Sequence, residues 1–335
     1  MSVPACGRTI TTQAAVCPFR SCEASAHDNV VGRAPDFEYA SVPGECAYMR
    51  CEDCQLVHLS PLPDDDAMST IYPSNYYAFS EAVDEPALVR RVRGLLEVRR
   101  IREYCRHLNP GPVQVLDVGC GDGRLLDIFV RHPLRDWTLA GIEIGDTGAR
   151  AAAAKGHEVR TGDVMSVDTS DWSDRFDLVL MHQVIEHVHD PRAVVEKVFR
   201  LMKPGGLLSV ETPDTQSWDA RLASRRYWGG YHAPRHFYLF DKPSLQRLMR
   251  EVGFDILWSR SILSPAIWAH TIHHWLNDKP FFRRLFTVPP FRNLAPYYRS
   301  APILAVFTLV DIAQVKLAGT SSNQQIGVRK PSGGA

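Results

Sequence analysis

The residues with the clearest chemical content lie in Val113-Gln-Val-Leu-Asp-Val-Gly-Cys-Gly-Asp-Gly-Arg-Leu-Leu126. An apolar, β-like run enters a turn carrying Gly119, Gly121 and Gly123, and leaves it on the helical pattern of Leu125, Leu126, Ile128 and Phe129. Glycines let a backbone turn sharply and approach a ligand closely, and free amides at the helix start face it. This is how a nucleotide-type ligand is gripped at the carboxyl edge of a parallel sheet. A dinucleotide fingerprint needs a glycine three residues after the second, and Arg124 stands there. The loop instead carries Asp117 two residues before its first glycine, with Asp122 inside it. A carboxylate at 117 suits a ligand with a cationic amino group, not a pyrophosphate. That points to S-adenosylmethionine.

Two further acids fit a nucleoside. Glu143 ends the next expected strand, 20 residues past Gly123, where a carboxylate accepts both hydroxyls of a ribose. Asp163, in Thr161-Gly-Asp-Val164, is placed to take an adenine amino group while Val164 packs on the ring. Capping of the following turn is its competing role. Six of the eight cysteines precede residue 55, in two short turns, Cys17-x4-Cys22 and Cys51-x2-Cys54, with Cys6 and Cys46 as spares. Two cysteine turns around a β-rich stretch supply the four tetrahedral thiolates of a zinc ribbon, a module too small for a self-sufficient core. His182, Glu186, His187 and His189 do not have the spacing of a zinc-binding helix. His236 is the candidate base for methyl transfer, because a hydroxyl or carbon acid needs one that works near neutral pH; a structural histidine in a helix-start loop is its competing role. Tyr231, His232 and Arg235 flank it and are placed to orient a polar or anionic acceptor.

These residues need a scaffold, and the pattern supplies one. Strands are expected near 113–118, 138–143, 157–160, 176–181, 206–211, 254–259 and 324–329, with helices at 123–131, 146–155, 190–202 and 243–252 between them. Asp190 and Pro191 mark the start of the third helix, and Lys203-Pro-Gly-Gly206 its end. Such alternation implies an α/β fold with a doubly wound parallel sheet. Ahead of it, from about 87 to 108, runs an amphipathic helix with seven arginines between Arg90 and Arg106, read as a solvated basic face opposite Leu95, Leu96, Val98, Ile101, Tyr104 and Leu108. The expected division is a zinc-ribbon-like module over 1–75, a linker and arginine-rich helix over 76–112, the Rossmann-like core over 113–260, a helical insertion over 261–319 and a last strand with tail over 320–335. The insertion is rich in aromatics, histidines and arginines, and reads as a lid or a homodimer contact.

The chain has 335 residues, 45% of them hydrophobic, so a packed core is expected. Lys+Arg and Asp+Glu are both 38, a balance that counts against a nucleic-acid partner. Residues 1–16 lack a charged start followed by an apolar core, and the apolar run 302–310 stops at Asp311, short of the 20 or so residues a membrane span needs. A cytoplasmic location without a transmembrane segment is the expectation.

The α/β half resembles the class I S-adenosylmethionine-dependent methyltransferases. The resemblance rests on Val115-Leu-Asp-Val-Gly-Cys-Gly-Asp-Gly123, Glu143, the segment Phe176-Asp-Leu-Val-Leu-Met-His-Gln-Val-Ile-Glu-His-Val188 and the segment Leu201-Met-Lys-Pro-Gly-Gly-Leu-Leu-Ser-Val-Glu-Thr-Pro213. It implies the seven-stranded sheet of that family and places His182, Glu186 and His187 at the lip of the cofactor pocket. The cysteine pairs, followed by Tyr72 with Tyr76 and Tyr77 close behind, resemble the amino-terminal segment of members acting on sugar nucleotides and other small metabolites, deoxysugar C-methyltransferases among them. Tyr76 and Tyr77 either close over the acceptor or pack as aromatics at the domain junction. Trp228 to Leu245 resembles the stretch ahead of the sixth strand in that group and in ubiquinone-pathway O-methyltransferases. In the C-methyltransferases a glutamate precedes the histidine matching His236. Arg235 takes that place here and favours an anionic or O-linked acceptor. The implied activity is methyl transfer to a small metabolite. An RNA methyltransferase using the ribbon for substrate, and a non-catalytic scaffold that binds the cofactor, are the competing readings.

Overall fold

The computed structural model describes residues 10–15, 17–19, 22, 29–73, 87–285 and 301–333. Cys6, Tyr76, Tyr77, Phe286, Phe291, Arg292, Tyr297 and Tyr298 lie outside them. The chain divides into two units. One gathers Met1–Pro73, Thr212–Ser244 and Arg260–Gln324; the other gathers Ser74–Glu211, Leu245–Ser259 and Gln325–Ala335.

In the first unit the chain forms β1 (Thr12–Gln13), β2 (Asn29–Ala34), β3 (Cys46–Arg50), β4 (Val57–Ser60) and β5 (Leu62–Pro63), then the single-turn α1 (Met68–Ile71). β2, β3 and β4 form an antiparallel meander, and β1 pairs with β5. The Cys51–Cys54 turn links β3 to β4. It is closed by Cys51 N donating to Leu56 O at 2.9 Å.

The second unit opens with α2 (Ala87–Cys105). Then come β6 (Val113–Val118), α3 (Arg124–Arg131), β7 (Trp137–Glu143), α4 (Asp146–Ala154), β8 (Glu158–Thr161), β9 (Phe176–His182), α5 (Pro191–Leu201) and β10 (Met202–Pro213). β6 and β9 read as nearly unbroken apolar runs because helices cover both faces of a parallel sheet. Asp190 caps α5 by accepting from Ala193 N at 2.9 Å, with Pro191 in the first turn, as expected.

Beyond β10 the chain forms α6 (Trp218–Ala223), the two-residue β11 (Tyr238–Leu239), which pairs with β4, then α7 (Lys242–Val252) and β12 (Asp255–Ile262). The expected helical insertion follows as α8 (Pro265–Asn277), α9 (Pro280–Leu285) and α10 (Ala301–Ala318), and β13 (Asn323–Arg329) ends the fold. The large sheet has seven strands in the order β12-β13-β10-β9-β6-β7-β8. From β6 the chain winds outward to β8, then returns to lay β9 on the other side of β6. The reversal creates a switch point between β6 and β9, outside whose carboxyl ends ligands bind in such sheets.

Register sets what stands at that edge. Val118 pairs with Ile142 and with Met181, Glu143 pairs with Thr161, and His182 pairs with Glu211. Gly119, Glu143, Gly162 and His182 therefore end neighbouring strands in line.

α2 departs from its expected orientation. Val98, Ile101, Tyr104 and Leu108 join the core with Val115, Phe129, Leu178 and Leu207, as their spacing requires. Leu95 and Leu96 are instead 65% and 52% exposed, while Glu97 is buried. Arg100 lies three residues after Glu97 and four before Tyr104, on the face that turns inward, and its Nη1 sits 3.0 Å from Glu211 Oε1. The basic face is thus not wholly solvated. Among the described residues no helix is long and apolar enough to cross a membrane. The Asp311 that interrupts the apolar run of α10 is buried and accepts from Ser264 N, just ahead of α8, at 2.7 Å.

Candidate functional site

At the β6 edge, Gly119, Gly121 and Gly123 all have positive φ. A side chain at Gly119 would meet Val184 Cγ2 at 2.6 Å, so the turn after β9 approaches the loop as only glycine permits. At Gly121 a side chain would meet nothing within 4 Å; that part of the loop faces open space. Glu143 holds the neighbouring turns together. Its Oε2 accepts from Gly121 N at 2.8 Å and its Oε1 from Gly145 N at 2.7 Å, and each oxygen keeps a second lone pair for another donor. Asp117 is buried at the end of β6. Desolvation raises its pKa to about 8, with Arg124 opposing the rise and Glu143 and Glu97 adding to it.

Other expected residues along this edge have partners of their own. Asp163 accepts from Met165 N at 2.7 Å, the turn-capping role, while Val164 is buried behind it. Asp122 pairs with Lys155 at 3.0 Å on the solvent side. His182 is half-buried, and desolvation first, then Arg100 and Arg124, bring its pKa down to about 3. The ring is therefore neutral, and its Nε2 lies 3.4 Å from Ser209 Oγ. Glu186 is fully buried, and His187 ends the same short turn at 185–187. Behind His182 lies a polar cluster not foreseen from the sequence: Gln325 Nε2 donates to Glu211 Oε1 at 2.7 Å, and Tyr104 Oη lies 3.2 Å from Ser209 Oγ. The inward register of Arg100 on α2 was the one available signal for it.

The first unit holds the remaining candidates. His236 Nδ1 lies 2.7 Å from Gly230 O, so the N–H is on Nδ1 and the lone pair of the neutral ring is on Nε2. His232 Nδ1 lies 2.7 Å from Glu38 Oε1. Tyr231 is buried, stacked on Tyr48 at 3.9 Å between centroids. Arg235 is fully buried, and its Nη1 and Nη2 donate to Asp36 Oδ1 at 3.2 Å and Oδ2 at 2.9 Å. Asp36 in turn accepts from Tyr39 N at 3.0 Å and Ser41 N at 2.9 Å, which shapes the 36–41 turn. Burial alone would lift the Asp36 carboxyl, but Arg235 and Ser41 outweigh it and hold the pKa low. Removing one partner of a buried pair strands the other charge, at about 3–5 kcal/mol. Arg235→Met is therefore expected to lower stability by about that much in urea unfolding. Unchanged stability with a raised acceptor KM would give Arg235 back to the acceptor.

Cys17, Cys22, Cys51 and Cys54 converge, with all four sulfur atoms within 4.8 Å of one another and Cys17 Sγ 3.6 Å from Cys54 Sγ. Zinc–sulfur bonds of about 2.3 Å span a tetrahedron with edges near 3.8 Å, so the donor set fits a metal ion. Burial raises the Cys22 thiol to about 12. Cys46 is not among the four.

A family model described as a methyltransferase domain matches residues 89–258, about half of the chain. Similar curated proteins include a ubiquinone biosynthesis O-methyltransferase of Pseudomonas fluorescens (strain SBW25), 32% identical over 122 residues that make up 34% of this chain and 50% of that protein. Its counterpart in Psychrobacter arcticus is 31% identical over 30% of this chain and 40% of that protein. The chain thus spans about half or less of the length of the curated relatives it matches. Among solved structures, a SAM-dependent methyltransferase from Archaeoglobus fulgidus aligns with a TM-score of 0.45 at 17% identity, covering 71% of this chain and 94% of that one.

Proposed function

Because the chain belongs to the methyltransferase-domain family, we propose that it transfers the methyl group of S-adenosylmethionine to an oxygen of a small metabolite. The observation that carries this reading is the buried Asp117 carboxyl, at the switch point and beside the glycine turn. Burial has raised its pKa to about 8, the condition of a carboxyl built to receive an opposite charge. The residues present fit the cofactor. Asp117 would take its ammonium group, Glu143 its ribose hydroxyls, and the open side of Gly121 would let the backbone come close. Asp163 and Val164 would border the adenine, with His182, Glu186 and His187 along the next strand end.

When bound, the cofactor supplies an electrophilic methyl group on a sulfonium sulfur. His236 is the proposed base: its Nδ1–H is committed to Gly230 O, so Nε2 is the nitrogen that accepts the acceptor's proton. His232 would orient the acceptor, and Arg235 supports the site through Asp36. An oxygen acceptor is supported by the O-methyltransferase names of the curated relatives. The amino-terminal cysteines would hold one structural zinc.

The test is turnover with methyl-labelled cofactor against phenolic and nucleotide-sugar acceptors, before and after nuclease treatment. Labelled product that survives nuclease is expected. His236→Ala should lower turnover by about 10²-fold or more and leave the Kd for the cofactor unchanged. Cofactor binding without turnover on any acceptor would favour a scaffold, and loss of activity on nuclease treatment would favour an RNA substrate.

A further inference from the structure

We propose a second metal site, separate from the cysteine cluster, in which Glu38, His270 and His274 bind a divalent transition-metal ion. His270 and His274 are four residues apart on α8, the spacing that puts two imidazoles on one helix face. His270 Nδ1 lies 3.6 Å, and His274 Nε2 3.9 Å, from the same oxygen, Glu38 Oε1. The three ligand atoms all lie within 4.8 Å of one another.

The tautomer of His274 gives the arrangement its meaning. His274 Nδ1 faces Tyr227 O at 3.3 Å, so that nitrogen carries the hydrogen and Nε2 carries the lone pair. The ring is only 3% exposed, and among the described residues Nε2 meets no hydrogen-bond donor. It points instead at a carboxylate oxygen. Two acceptors facing each other away from water call for a cation between them. A proton does not serve, because 3.9 Å is beyond hydrogen-bond range. A metal does, since bonds of about 2.0–2.2 Å from one ion hold its ligand atoms roughly 3.3–4 Å apart.

The surroundings fix the donors in place. His232 donates from Nδ1 to Glu38 Oε1 at 2.7 Å, the kind of partner that orients a ligating carboxylate. Asp36, pinned by Arg235, accepts from Glu38 N at 3.2 Å. Phe37 stacks on His274 with centroids 4.7 Å apart. Two imidazoles and one carboxylate suit zinc or its first-row neighbours better than calcium or magnesium. The side chain of His270 is 24% exposed, which gives an ion a way in and leaves room for an exchangeable oxygen ligand. The site lies within one unit and requires nothing of methyl transfer.

The test loads the metal-stripped full chain with cobalt(II) and counts bound metal by elemental analysis alongside the absorption spectrum. Thiolate-to-cobalt charge transfer reports the cysteine cluster, and a nitrogen–oxygen site adds none. The wild-type chain should hold one equivalent more than the cysteines account for. His270→Ala should lose that equivalent and keep the charge-transfer band, which also shows that the unit stays folded. If that band is lost as well, the isosteric Glu38→Gln decides in its place by the same count. Equal loading of wild type and the deciding variant overturns the site, as does a wild-type chain whose only cobalt is thiolate-bound.

Discussion

Asp117→Ala is expected to remove most binding of S-adenosylmethionine while leaving the fold intact. Truncating one side of a buried charge pair costs about 2–5 kcal/mol, which is roughly 30-fold to several-thousand-fold in Kd. Asp117→Asn separates charge from shape, and its pH behaviour makes the expectation sharper. With a pKa raised to about 8, the ligand-free carboxyl is largely protonated at neutral pH. An incoming ammonium group must therefore displace that proton. Binding at pH 7 should release close to one proton, and affinity should climb from pH 6 toward pH 8; neither should occur in Asp117→Asn. The same shift acts on stability. Between about pH 4, near the ordinary carboxyl value of 3.8, and pH 8, the folded state holds a proton that the unfolded state has lost, so stability falls as pH rises. Asp117→Asn abolishes that slope. At pH 8 the ligand-free variant should melt about 2 °C or more above the wild type, which calorimetry at several pH values reads directly.

Elemental analysis should find one zinc held by Cys17, Cys22, Cys51 and Cys54, beyond whatever the histidine site carries. Structural zinc contributes about 10–16 kcal/mol in small modules at neutral pH, comparable with the whole stability of an ordinary domain. β2, β3 and β4 are short strands, and the turn that joins the last two carries half of the cluster. Chelation, or Cys54→Ser, should therefore abolish a cooperative transition in the melting curve, and added zinc should restore it only in the wild type. A chelated, metal-free chain with an unaltered melting curve would remove the ribbon reading.

What the sequence revealed and what it hid have a common physical reason. β6 and β9 occupy the residues expected of them because a strand buried on both faces writes its apolar run locally. α5 is marked at its start for a similar reason: a cap and a proline act within one turn. The glycine turn and Glu143 were legible because backbone conformation and strand register place them. Long-range pairing leaves no such mark. Arg235 reads as an anion binder beside His236, yet its guanidinium is committed to Asp36, 199 residues away. His232 reads as an acceptor contact, and nothing local announces that its Nδ1 also bonds Glu38, 194 residues away. Glu38 itself sits in no periodic pattern, so its meeting with His270 and His274 could only be seen in three dimensions. Arg100 was the intermediate case. Its place on the 3.6-residue period turned it inward, but a run of arginines concealed that.

The proposed activity requires that the edge formed by Asp117, the glycine turn and Glu143 receive S-adenosylmethionine. Isothermal calorimetry on the purified chain, with NAD as the control ligand, tests it most directly. Micromolar binding of S-adenosylmethionine near one per chain, with proton release at pH 7 and no response to NAD, is expected. No binding of S-adenosylmethionine, or equal binding of NAD, would contradict it.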